Sequence, residues 1–230
     1  TSPVYPLRGH QLGYRAKTHS YDAWDLEMWE QYIRDMIVFG MNAIEIVPPK
    51  TDDHLDSPHF PRPPLEMMAN MSELADDYGL DVWIWYPCVE GDFSDSLTLA
   101  YALEDREKVL SRLPRVDAVF VPGGDPGEIH PDVLFPFMKK FEQLLHRYHP
   151  DAEIWSSIQN FDDEPATMGW TRSFYDKLRD SEYAWFDGVV FGPATETTLP
   201  EMRRQVPDRL PVRRYPDITH SMNCQYEVPD

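Results

Sequence analysis

Short apolar runs alternating with segments of helical apolar spacing constrain this chain more than any other feature of its sequence. The runs fall at residues 7–15, 42–47, 81–86, 118–121, 153–158, 188–191 and 212–215, with helical patterns over 24–39, 65–78, 105–113, 131–148, 171–180 and 199–205. In the first helical pattern Trp29, Tyr32, Ile33, Met36 and Ile37 recur at three- and four-residue spacing, and Gly40 ends it. The run NAIEIV stops at Pro48 and Pro49, while DVWIWY at 81–86 is too apolar for a strand with one face in water. The 22 prolines, about twice the usual share, stand largely at such ends, as at Pro87, Pro122, Pro193 and Pro216. Strands buried on both faces and joined by crossover helices require a parallel sheet, so the fold class is α/β.

An open doubly wound sheet and a closed barrel both meet that requirement. No glycine-rich dinucleotide fingerprint follows the first run, and polar residues gather after almost every strand. A barrel collects its site from all its strand ends, whereas an open sheet uses mainly its switch point. The expectation is therefore a TIM (β/α)8-type barrel occupying residues 1–230 as one domain. Seven strands are legible and an eighth is not, which fits an incomplete or irregularly closed barrel or a portion of a longer protein.

A net charge of −19 argues against a nucleic-acid grip and against an anionic membrane surface, because both need clustered Lys and Arg. No apolar run approaches the roughly 20 residues that span a bilayer. Cys88 and Cys224 form neither a disulfide framework nor a zinc-site spacing, and their redox state stays open. A chain beginning at Thr1 fits a processed export signal, hence an extracellular or periplasmic location, as well as an excised piece. No cofactor is expected, and the oligomeric state is not legible.

In a barrel, chemistry belongs to the C-terminal ends of the strands. The most distinctive segment there is VPGGDPGEIHP at 121–131, where two glycines allow a sharp turn and Asp125 and Glu128 emerge beside Pro126. Paired carboxylates in different environments can divide into a proton donor and a charge stabiliser, the equipment of glycoside cleavage. The same loop also suits a helix cap with a solvated acid, and both readings stay open. Asp163, in SSIQNFDDE at 156–164, and Asp217, in RRYPDITHS at 213–221, are further acids after strands.

Tyr86 and Tyr215 stand at strand ends, where aromatic faces stack on sugar rings, and Gln159 and Asn160 could bind hydroxyls. Trp83 and Trp85 share one strand face and read as core. Arg8 and Arg15 bracket the first strand, and one of Arg213 and Arg214 should face inward, to bind a sugar hydroxyl or carboxylate or to neutralise an acid. His19, His54, His130 and His220 follow strands, but no two have the close spacing of a metal-binding pair, so no metal site is assigned.

The segments RGHQLGYR (8–15) and YIRDMIVFGMNAIEIVPP (32–49), with the acidic loop after the fourth strand, resemble the catalytic barrels of the hexosaminidase, O-GlcNAcase and α-glucuronidase group of glycoside hydrolases. The resemblance implies that Arg8 contacts substrate hydroxyls and that Asp125 is the strand-four acid. Hexosaminidases that use the substrate acetamido group present two adjacent acids, whereas Pro126 and Gly127 separate Asp125 from Glu128 here.

The expected function is hydrolysis of an oligo- or polysaccharide by carboxylate acid/base catalysis, with Asp125 or Glu128 as donor, Asp163 and Asp217 in reserve, and Arg8, Arg15, Tyr86, Gln159, Asn160, Arg213 and Tyr215 binding sugar. The partner is then a carbohydrate. A metal-dependent barrel hydrolase or isomerase, and a non-catalytic carbohydrate-binding barrel, are the alternatives.

Overall fold

The computed structural model describes residues 3–16, 21–52 and 56–215. Seven parallel strands run in sequence order, β1 (Gly9–Leu12), β2 (Ala43–Ile46), β3 (Asp81–Trp85), β4 (Ala118–Val121), β5 (Glu153–Ser157), β6 (Gly188–Phe191) and β7 (Val212–Arg214). Helices α1 (Leu26–Val38), α2 (Pro64–Asp77), α3 (Ser96–Leu110), α4 (Pro131–Tyr148), α5 (Trp170–Arg179) and α6 (Leu199–Gln205) cross between them, with a 3-10 turn at Ser181–Tyr183. The sheet curls into a half-barrel, a TIM-like architecture that lacks an eighth strand among the described residues.

Element ends follow local chemistry. Asp25 accepts the Met28 amide at 2.9 Å and starts α1, and Asp95 accepts the Thr98 amide at 2.8 Å and starts α3. The α3 helix begins nine residues earlier than its sequence pattern suggests, because its first turns carry no apolar stripe and only Ala102, Arg106, Val109 and Leu110 are buried. The first strand is shorter than residues 7–15, holding ladder pairs with β2 only from Gly9 to Leu12.

Polar side chains at the start of alternate strands fix the register. The Asn42 Oδ1, just before β2, accepts the Arg8 amide at 2.8 Å. Asp117, before β4, accepts the Val82 amide at 2.7 Å, and Asp187, before β6, accepts that of Ile154 at 2.8 Å. Each therefore satisfies a backbone donor of the preceding strand at the end where the strands begin.

Side-chain alternation divides the interior in two. The larger core lies between sheet and helices, with Ile44, Ile46, Val82, Ile84, Val119 and Val121 packed on Trp29, Met67, Phe135 and Phe141. A smaller one fills the barrel with Ala43, Trp83, Ala118, Phe120, Trp155 and Val190, against which Trp85 and Tyr215 pack. The Trp83 and Trp155 rings meet edge to face at 5.1 Å. Gly188 makes room for this, since a Cβ there would stand 2.4 Å from the Trp155 ring.

Candidate active site

The loop after β4 is wedged between its neighbours by glycines. A Cβ on Gly123 would stand 2.1 Å from the Ser157 carbonyl oxygen, one on Gly124 would stand 2.4 Å from that of Gln159, and one on Gly127 would stand 2.6 Å from that of Cys88. Glycine is thus required for close approach of three backbones, beyond any turn preference. The Asp125–Pro126 peptide is cis, and the Glu128 amide donates back to the Gly124 carbonyl at 2.9 Å.

This seating brings Asp125 and Gln159 together. Asp125 is exposed at the strand-end rim and accepts a hydrogen bond from Gln159 Nε2 at 3.1 Å. The Gln159 loop is itself anchored, because the Ser157 hydroxyl accepts the Gly123 amide at 3.3 Å and the Asn160 amide donates to the Ala194 carbonyl at 2.8 Å. Glu128 lies exposed on the same loop as Asp125.

Backbone strain marks the same rim. Among the described residues, the non-glycine positions with positive φ are Glu128 (43°), Asn160 (54°), Asp162 (62°) and Ala194 (46°). All four stand in the adjoining loops after β4, β5 and β6. Such conformations persist only where the surroundings over-determine them, and they cluster at functional sites. No residue pattern in the sequence announced this for Glu128 or Ala194.

Below the rim, the barrel interior supplies aromatic and polar groups. Trp85 faces inward with the Arg15 guanidinium carbon 5.9 Å from its ring centroid, and Tyr215 lies 6.2 Å from Phe120, ring to ring. Arg213 is the inward member of the Arg213, Arg214 pair. It bonds Glu45 Oε2 at 2.7 Å and lies 4.3 Å from the Trp83 ring. Sequence reasoning alone does not single out Glu45 or its neighbour Gln11, whose Nε2 donates to Glu45 Oε1 at 3.3 Å. The available signal was the lone acid in NAIEIV, a strand otherwise apolar on both faces.

Several expected residues lie elsewhere. Tyr86 alternates with the inward Trp85 and therefore points out into the sheet–helix layer. It is 1% exposed, its hydroxyl donates to Asp105 of α3 at 3.1 Å, and burial holds its phenol well above the ordinary pKa. Arg8 precedes β1, at the end opposite the rim, and its guanidinium donates to the carbonyls of Gly40, Tyr5 and Pro6 at 2.6, 2.6 and 3.0 Å. Asp163 accepts the Thr167 hydroxyl at 3.1 Å within its own turn. His130 caps α4, its Nδ1 accepting the Asp132 amide at 3.1 Å, and its ring lies edge-on to Trp170. Asp217, with Lys17, His19, Asp53, His54, His220 and Cys224, lies outside the described residues.

Glu90, after β3, is committed to an internal cation. Arg106 of α3 bonds its Oε1 at 2.8 Å and the Pro87 and Ala102 carbonyls at 3.0 and 2.9 Å, and its guanidinium carbon lies 4.6 Å from the Tyr86 ring and 4.9 Å from that of Phe137. Beside it, burial pushes the Cys88 thiol up to about 12. This group fixes the β3 loop on which Gly127 rests. Among the described residues no three His, Cys, Asp or Glu side chains gather as a metal-ligand cluster. Two grooves of about 450 and 460 Å³ lie on the outer helical layer, one between α3 and α4 beside Glu104 and Lys140 and one between α4 and α5 beside Asp132 and Lys177.

No protein-family model and no curated protein matches the chain. Solved structures resemble it in fold. D-psicose 3-epimerase from Clostridium cellulolyticum H10, in complex with D-tagatose, aligns at TM-score 0.55 and 11% identity over 89% of this chain and 72% of its own. The protein CpGH84B aligns at TM-score 0.57 and 12% identity, over 87% of this chain and 36% of its own. A mutant β-hexosaminidase of Streptomyces plicatus, in complex with the product GlcNAc, aligns at TM-score 0.52 and 10% identity over 84% of this chain and 48% of its own. The chain thus spans about half the hexosaminidase's length. At these identities the likeness establishes a TIM-barrel-like fold shared with carbohydrate-active enzymes.

Proposed function

We propose that the chain is a carbohydrate-active barrel enzyme of the glycoside hydrolase type, with Asp125 as its principal acid. The observation that carries this reading is the Asp125–Gln159 contact, held at the strand-end rim by three backbone approaches that only glycine permits. Asp125 would give its proton to the leaving glycosidic oxygen, with Gln159 fixing the carboxyl. Glu128 would be the second carboxylate, activating water or stabilising positive charge at the anomeric carbon. Trp85 and Tyr215 would offer ring faces to the sugar, and Arg15, Asn160 and Arg213 would supply donors.

The fold is shared by a hexosaminidase and a sugar epimerase, so the choice of hydrolysis rests on the loop acids and on the residue pattern resembling glycosidase barrels. Separate Asp125→Asn and Glu128→Gln variants, assayed on chromogenic glycosides and natural polysaccharides, should each lose turnover by about 10²-fold or more while keeping the wild-type circular dichroism. Unchanged hydrolysis in both variants refutes the assignment.

A further inference from the structure

An ion pair crosses the inner surface of the barrel, from β7 at one edge of the sheet to β2 beside the other. Arg213 Nη1 lies 2.7 Å from Glu45 Oε2, and the two side chains are 16% and 2% exposed. Gln11 Nε2 occupies Glu45 Oε1 at 3.3 Å, and the guanidinium lies over Trp83, 5.9 Å from the Tyr215 ring. A planar cation on an aromatic face inside a barrel would, alone, be a receptor for a carboxylate, since guanidinium and carboxylate match in geometry and charge.

Here that receptor is already filled by the protein's own acid. A substrate carboxylate brought to Arg213 would also meet the charge of Glu45, and on its way in it would pass the exposed Asp125 and Glu128 on a chain of net charge −19. Hydroxyl groups meet no such penalty, and the Arg213 side chain, 16% exposed, has N–H groups beyond the one given to Glu45. We propose that Glu45 is a specificity-determining residue that neutralises Arg213 and thereby selects uncharged sugars over uronic acids. This rests on the carbohydrate reading above and adds to it the charge class of the substrate.

The test uses the full chain and matched pairs of methyl glycosides, glucoside with glucuronide and galactoside with galacturonide, titrated by calorimetry and saturation-transfer NMR. Wild-type protein should bind the neutral member of the preferred pair about tenfold more tightly or better, the scale of one charged contact. Glu45→Gln, which keeps the shape and frees the cation, should move that ratio toward the uronide by about tenfold. The double variant Glu45→Gln/Arg213→Gln retains Arg15 and should return to the neutral preference, assigning the gain to Arg213. Equal or tighter wild-type binding of the uronide overturns the inference and leaves the carbohydrate reading standing, as does a ratio unmoved in a folded Glu45→Gln variant. Absence of binding to every glycoside overturns both. Should Glu45→Gln fail to fold, Glu45→Asp, which draws the acid back from the guanidinium, should move the ratio in the same direction, and an unmoved ratio in that variant overturns the inference.

Discussion

Replacing Gly123 with alanine tests whether the acidic loop is seated by backbone contact. The added Cβ would stand 2.1 Å from the Ser157 carbonyl oxygen and 2.9 Å from Phe161 Cζ. The φ at Gly123 is not in the left-handed region, so the effect is steric, and the first obstacle is backbone at the end of a central strand. Overpacking that backbone must absorb costs about 1–3 kcal/mol, and the depth of this overlap puts it near about 3. For a chain of this size that corresponds to a fall in Tm of about 6–12 °C. Gly192→Ala is the matched control, since its Cβ would find nothing closer than Gln159 Oε1 at 3.6 Å. Both variants should be compared by urea titration and thermal melts. If Gly123→Ala and Gly192→Ala unfold within about 0.5 kcal/mol of each other, the spread expected of neutral substitutions, the wedge between β4 and β5 is not what positions Asp125.

Arg106→Met removes the cation from Glu90, whose side chain is 1% exposed and keeps the Val89 amide at 3.1 Å and a 3.6 Å approach from Lys50. A cost of about 3–5 kcal/mol is expected, with most of it recovered in Arg106→Met/Glu90→Gln; additive costs in denaturant titrations would refute the internal pairing. His149 is half-buried against the Leu110 carbonyl, and burial pushes its pKa below 6.5. The unfolded chain therefore takes up a proton at 6.5 that the fold resists, so this contribution is present above pH 6.5 and lost as pH falls below it. The stability gap between wild type and His149→Gln should narrow from pH 8 to pH 5, and a gap constant over that range would sink the assignment.

The residues expected at the site divide according to how local their evidence was. The position of Asp125 after a strand was legible because Gly-Gly-Asp-Pro-Gly after an apolar run is a local signal, and its contact with Gln159 joins the ends of two neighbouring strands. Tyr86 was misplaced because alternation says only that Trp83 and Trp85 share a face. Which face turns toward the barrel axis depends on what packs there. Arg8 was misplaced by one short step, since a residue before a strand and one after it belong to opposite ends of a barrel. The Glu45–Arg213 pair joins residues 168 positions apart, and nothing in either neighbourhood names the other.

The α/β rhythm and the parallel sheet follow from sequence alone, because periods of two and 3.6 residues and the proline and glycine stops between them are written over a few neighbouring positions. Tertiary structure decided which strand face became the interior, where the aromatics stand, and that an inward arginine meets an acid five strands away in the sheet order. Those outcomes depend on sheet curvature and on contacts between distant segments, which local periodicity does not encode.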